Sequence, residues 1–212
     1  MQISTPEVFL QAFVAIFMIV NPVDPVKIII FNRVVDTQGL NRRAAAIKVA
    51  SIVFVILFVA ALIGKELLGI MGINLGAFGV VGGFIVASMG VEMLYGGTSS
   101  RTQGTKEVAE ESPSDEGLVL PLATPLMAGP GGITTVITLA AATKGGISGI
   151  WPTVIGLAAV CVLVFVGFAW LGEAFARLST TATSMLARIG GLLLATIGLQ
   201  LALSGLRTFY GF

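Results

Sequence analysis

The sequence predicts an all-α polytopic membrane protein: six transmembrane helices arranged as two inverted-topology three-helix repeats, with a broken first helix in each. Three observations predict it. Hydrophobic residues make up 56% of the chain and charged residues 11%, with a mean hydropathy of +0.99, whereas soluble domains carry roughly 45–50% apolar and ~25% charged residues. Six runs are long enough to cross ~30 Å of hydrocarbon, which takes about 20 mostly apolar residues of helix. An offset of 108 residues, the difference between Pro130 and Pro22, lays one half of the chain on the other without a gap.

The six runs cover residues 8–31, 44–63, 73–96, 117–142, 151–171 and 183–206. No basic residue and no small-residue cleavage site precedes the first, so it reads as a retained helix and not as a signal peptide. Asn32 and Arg33 stop the first run, and Gly64, Lys65 and Glu66 stop the second. Residues 97–116 are rich in Gly, Ser, Thr and charge, contain Pro113 and carry no apolar stripe. They read as a cytoplasmic linker between a first repeat, 1–96, and a second, 117–212, of one membrane domain. One side of the membrane then collects Arg33, Arg42, Arg43, Lys48, Arg101, Lys106, Arg177 and Arg188, and the other only Lys65, Lys144 and Arg207. The excess of basic residues marks the cytoplasmic side of a cytoplasmic (inner) membrane and puts both termini outside the cytoplasm.

In the 108-residue register Glu7 falls on Asp115, Ala15 on Ala123, Pro22 on Pro130, Ala61 on Ala169 and Gly64 on Gly172. The glycine pairs Gly82-Gly83 and Gly190-Gly191 coincide, as do Gly90 and Gly198. An odd number of spans per repeat makes the second copy enter from the opposite face. That symmetry belongs to many secondary transporters, whose substrates sit between discontinuous helices near the midplane. The paired glycines read as sites of close helix approach.

Each repeat breaks its first helix. In the first, Asn21, Pro22, Asp24 and Pro25 interrupt an apolar run, and each proline removes an amide donor and disfavours helix in the residue before it. Asn21 and Pro22 suit the N-cap and first position of a second half-helix. Gly129 and Pro130, followed by Gly131 and Gly132, offer the same with more backbone freedom. Such backbone at mid-depth must be buried in protein or line a wet cavity, and a half-helix N-terminus is a seat for a carboxylate. The candidate substrate-binding residues are therefore Asn21, Pro22, Asp24, Thr124, Gly129, Pro130, Gly131, Gly132 and Thr134. Against this stands the plain reading that the prolines cap a kink. Thr124, Thr134, Thr135 and Thr138 equally suit hydroxyls that bond back to their own helical turn. Asp24 and Lys27, three residues apart, could pair. Asp24 could also bind an ammonium or carry a proton, and Lys27 could snorkel toward the cytoplasmic face. Glu92, late in the third run, reads as an interface marker.

Several classes are excluded. Basic and acidic residues balance at 12 and 11, for a net charge of +1, so nothing points to nucleic acid. The single Cys161 reads as a small buried hydrophobe, and the absence of histidine removes imidazole ligands and Ser-His or Cys-His pairs. Lys144 lacks the glycine spacing of a phosphate loop. No metal, no cofactor and no enzymatic activity are expected.

The stretches NPVDPVKIIIF, GGFIVASMGVEML and PLATPLMAGPGGITTVI resemble the MarC family of integral membrane proteins, which includes the SnatA-type small neutral amino acid transporters within a wider LysE-like group. The resemblance spans essentially the whole chain. It implies six helices and movement of small neutral amino acids such as glycine and alanine. Asp24 stands where the resemblance implies a small residue such as glycine. The partners expected are a small zwitterionic amino acid, a proton or sodium as coupling ion, the lipid bilayer, and, as an open alternative to a monomer, a homo-oligomer. The competing expectation is a non-transporting membrane scaffold whose breaks are structural.

Overall fold

The computed structural model describes residues 5–22, 24–95, 127–143, 149–171 and 180–211. In these residues the helices are α1 (Thr5–Val20), α2 (Pro25–Gln38), α3 (Arg42–Ile70), α4 (Leu75–Leu94), α5 (Pro130–Ala142), α6 (Trp151–Val166) and α7 (Thr180–Tyr210), with a π turn, Gly167–Leu171, prolonging α6. All regular structure among the described residues is helical, as expected. The linker 97–116, the first part of the fourth run and Thr124 lie outside the described residues.

Among the described residues four helices are long and apolar enough to cross a membrane: Arg42–Ile70, Leu75–Leu94, Trp151–Trp170 and Ser184–Tyr210. Two apolar helices are shorter, Glu7–Val20 and Pro130–Ala142. At 1.5 Å per residue each of the short ones covers about 20 Å and falls short of a full crossing. These short helices border the two predicted breaks.

Local chemistry explains most boundaries. Asn41 caps α3 by accepting the amides of Arg43 and Ala44 at 3.0 and 3.3 Å. Asn74 caps α4 in the same way, through Gly76 at 2.8 Å and Ala77 at 3.2 Å. The second run differs from expectation: α3 continues through Gly64, Lys65 and Glu66 to Ile70. Lys65 and Glu66 are exposed and good helix formers, so they end the apolar run without ending the helix.

The helices are inverted relative to those of a soluble protein. On α4 the buried positions are Gly76, Gly79, Gly82, Gly83, Val86 and Gly90, while Phe84 is 74% exposed. A helix that hides glycine and shows phenylalanine is packed for lipid, where close backbone approach replaces the hydrophobic effect between helices. Its partner is α7. A Cβ at Gly76 would lie 2.6 Å from the Gly205 carbonyl oxygen, one at Gly83 2.6 Å from that of Gly198, and one at Gly90 2.6 Å from that of Gly191. The order runs up one helix and down the other, so α4 and α7 are antiparallel. The spacing of seven residues, two helical turns, brings a glycine to the seam each time.

The main core lies between α1, α2, α3, α5 and α6, where Ile16, Phe31, Val53, Leu57, Leu157 and Phe168 are fully buried. The rings of Phe31 and Phe168 stack at 4.7 Å. A smaller cluster, Ile19, Val86 and Leu194, ties the end of α1 to α4 and α7.

Candidate functional site

The first break is built from the end of α1. Asn21 takes a left-handed conformation with φ of 43°, which asparagine tolerates better than most side chains, and its amide closes α1 on the Phe17 carbonyl at 2.8 Å. The Asp24 amide then turns to the Asn21 carbonyl at 3.2 Å, and the Asp24 carbonyl accepts the Ile28 amide at 3.1 Å as the first bond of α2. The second half-helix therefore starts at Pro25 behind Asp24, and not at Pro22 behind Asn21 as the sequence suggests. The second proline sets the start because Asn21 is spent on terminating α1.

Lys27 neither reaches an interface nor stays in solvent. It is 6% exposed, and its Nζ donates to the Val20 carbonyl at 2.7 Å, back across the break. The Asp24 carboxylate lies within Coulombic range of this ammonium and is half-buried.

The second break uses backbone. Gly129 is extended, with φ −65° and ψ −177°, Pro130 opens α5, and no side chain caps the helix. The Ile133 amide bonds the Gly129 carbonyl at 3.0 Å. Gly131 and Gly132 are buried. A Cβ at Gly131 would lie 2.7 Å from Val86 Cγ2, and one at Gly132 3.3 Å from the Met127 carbonyl oxygen and 3.8 Å from Ile19 Cγ2. The first turn of α5 thus rests on the last turn of α1. A side chain at Gly131 would collide with α4, whereas Gly132 is in ordinary contact with α1 and tight only against the Met127 carbonyl.

The threonines divide. Thr134 Oγ1 donates to the Pro130 carbonyl and Thr138 Oγ1 to the Thr134 carbonyl, both at 2.8 Å, so their donors serve their own helix. Thr135 is 2% exposed, and its Oγ1 has no hydrogen-bond partner among the described residues. Thr134 also packs against α4, where a Cβ at Gly82 would collide with it.

Around the first break, Asn21 faces α7: a Cβ at Gly190 would be 3.9 Å from Asn21 Nδ2. Pro22 faces the π turn, its carbonyl oxygen 3.2 Å from a Cβ at Gly167. Sequence reasoning missed this π turn. It sits beside the break, and single-turn π segments recur at functional sites. Arg42 braces it, donating from Nε to the Phe168 carbonyl at 3.0 Å and from Nη2 to Asn32 Oδ1, with its guanidinium 5.9 Å from the Phe31 ring centroid. Only the arginine at the start of α3 hinted at it. Glu92 is exposed on α4.

Buried glycine seams, lipid-facing large side chains and half-length helices abutting at two breaks define an integral, polytopic α-helical membrane protein. The chain belongs to the MarC family: the profile of the MarC family integral membrane proteins matches residues 6–210, which bears out the resemblance carried by the three motifs. A UPF0056 membrane protein of Pyrococcus abyssi is 32% identical over 205 residues, covering 96% of each chain. The UPF0056 membrane protein YvbG of Bacillus subtilis is 29% identical over 204 residues, 94% of each chain. YhcE of Escherichia coli, also a UPF0056 membrane protein, is 26% identical over 205 residues, covering 96% of this chain and 94% of its own. No solved structure matches the chain.

Proposed function

We propose that this protein is a secondary transporter that moves small neutral amino acids, such as glycine or alanine, across the cytoplasmic (inner) membrane, at a site where the two broken helices meet. The observation that carries the reading is the start of α5: buried glycine backbone without a side-chain cap, set against the last turn of α1. A buried donor left unpaired costs about 1–3 kcal/mol, and a helix N-terminus favours negative charge. The carboxylate of a zwitterion would answer both. Asn21, Asp24 and nearby carbonyls would take the ammonium or a coupling proton, with sodium as the other coupling ion. The crowding at Gly131 and Gly132 favours a substrate with little or no side chain.

The antiparallel packing of α4 on α7, helices that the 108-residue offset equates, supports six spans in two inverted repeats. The distribution of arginine and lysine supports termini outside the cytoplasm. The work is binding and conformational change, with no catalytic step and no cofactor. Reconstitution into proteoliposomes tests the reading: labelled glycine or alanine should enter saturably and respond to an imposed proton gradient. Absence of saturable flux across a broad amino acid panel would sink it. That outcome would favour the scaffold reading, which draws on the hydroxyls of Thr134 and Thr138 being committed to their own helix.

A further inference from the structure

The break after α1 strips that helix's C-terminal end of backbone donors. Pro22 has no amide to offer the Met18 carbonyl four residues back, and the Asp24 amide goes to Asn21 and not to Val20. Carbonyls left over at a helix C-terminus carry the negative end of its dipole. In secondary transporters built on broken helices, such ends and the adjoining unwound carbonyls are where a coupling cation sits. In this chain the Lys27 amine already occupies the place. Lys27, one turn into the next half-helix, folds back and donates to the Val20 carbonyl at 2.7 Å, buried to 6% exposure and with Asp24 close enough to act as counter-charge.

We propose that Lys27 is a tethered cation: its ammonium fills the seat that a free monovalent cation would otherwise take at the C-terminal end of α1. The second break supplies the contrast. The 108-residue offset carries Lys27 onto Thr135, whose buried hydroxyl has no partner among the described residues. A threonine is too short to cross a break, so the second half of the chain has no built-in cation at the matching position. Residues 117–143, around the second break, contain no charged residue. Asp24 has two oxygens, so it can balance Lys27 and still accept a further donor. The stability consequence stands by itself. The consequence for coupling, that sodium has no seat at the first break of the native chain, rests on the transport reading.

The full chain is purified in detergent and melted at constant ionic strength in choline, sodium or n-propylammonium chloride. The wild type should melt at one temperature in all three. Lys27→Ala should melt about 5 °C or more lower in choline and recover most of the loss, saturably, in sodium or n-propylammonium. Lys27→Met, which refills the space without charge, should be lowered and should recover in neither. A Lys27→Ala protein that melts with the wild type in choline, or that neither cation restores, overturns the proposal. If Lys27→Ala does not fold, Asp24→Asn in the wild-type and Lys27→Met backgrounds decides: a shift in the first at least three times that in the second supports the tethered cation, and any smaller ratio overturns it. Absence of glycine flux in wild-type proteoliposomes would sink the transport reading and leave these melting results standing, so the two failures are distinguishable.

Discussion

At the first break the chain turns on a left-handed Asn21, Asp24 precedes α2, and Lys27 reaches back to the Val20 carbonyl. At the second, Gly129 is merely extended, Pro130 opens α5 and no side chain caps the helix. The same interruption has thus been resolved in two ways. One break satisfies the Val20 carbonyl from within, through the buried Lys27 side chain. The other has no side-chain cap, and its shape depends on Gly131, which lets α4 close in. Two prolines 108 residues apart do not impose one chemistry.

The largest effect should come from the first break. Lys27→Met leaves the Val20 carbonyl without its donor; a hydrogen bond from a charged group contributes about 1.5–3 kcal/mol, and the acceptor left behind adds its own desolvation cost. Denaturant titration in mild detergent checks it, and a loss under about 1 kcal/mol would erase the distinction between the breaks. At the second break, Gly131→Ala puts a methyl 2.7 Å from Val86 Cγ2, an overpacking of about 1–3 kcal/mol. Pairing it with Val86→Ala should recover stability in a double-mutant cycle, because the clash is with that side chain and not with backbone.

Gly129→Ser would give the second break the cap it lacks. It should stabilise the protein by a few tenths of a kcal/mol while lowering glycine flux at least several-fold, since the new hydroxyl competes for the amides a carboxylate would use. Stabilisation with undiminished flux would move the carboxylate seat elsewhere. The smallest effect is expected of Thr135→Val, which removes a hydroxyl that makes no bond among the described residues; the change should stay within about 0.5 kcal/mol by thermal unfolding. A loss above about 1 kcal/mol would mean that Thr135 is bonded in the folded protein.

Much of this was legible beforehand, and the exceptions share a cause. Proline and glycine act locally, so the interruptions near Pro22 and Pro130 could be read from them directly. Which of two prolines starts the next helix could not, because Asn21 had to be assigned to the end of α1 before Pro25 could open α2. Lys65 and Glu66 ended hydrophobicity without ending α3, since helix and apolar run are separate properties. The π turn at Gly167 and the reach of Arg42 to Phe168 involve α2, α3 and α6 at once, and no single window of sequence contains them. Thr134 and Thr135 look alike in sequence, yet only one hydroxyl bonds its own helix.

Composition, hydrophobic run length and backbone-breaking residues were enough to determine a helical membrane protein interrupted near Pro22 and opening a helix at Pro130, because lipid leaves a chain so apolar few other ways to satisfy its amides. Glycines at positions 83 and 90, and again at 191 and 198, foretold close approach. Their pairing across an antiparallel seam was decided only when α4 met α7. The destination of Lys27 was decided the same way: its charge was plain in the sequence, but whether it would snorkel, pair or cap depended on where the end of α1 came to rest in three dimensions.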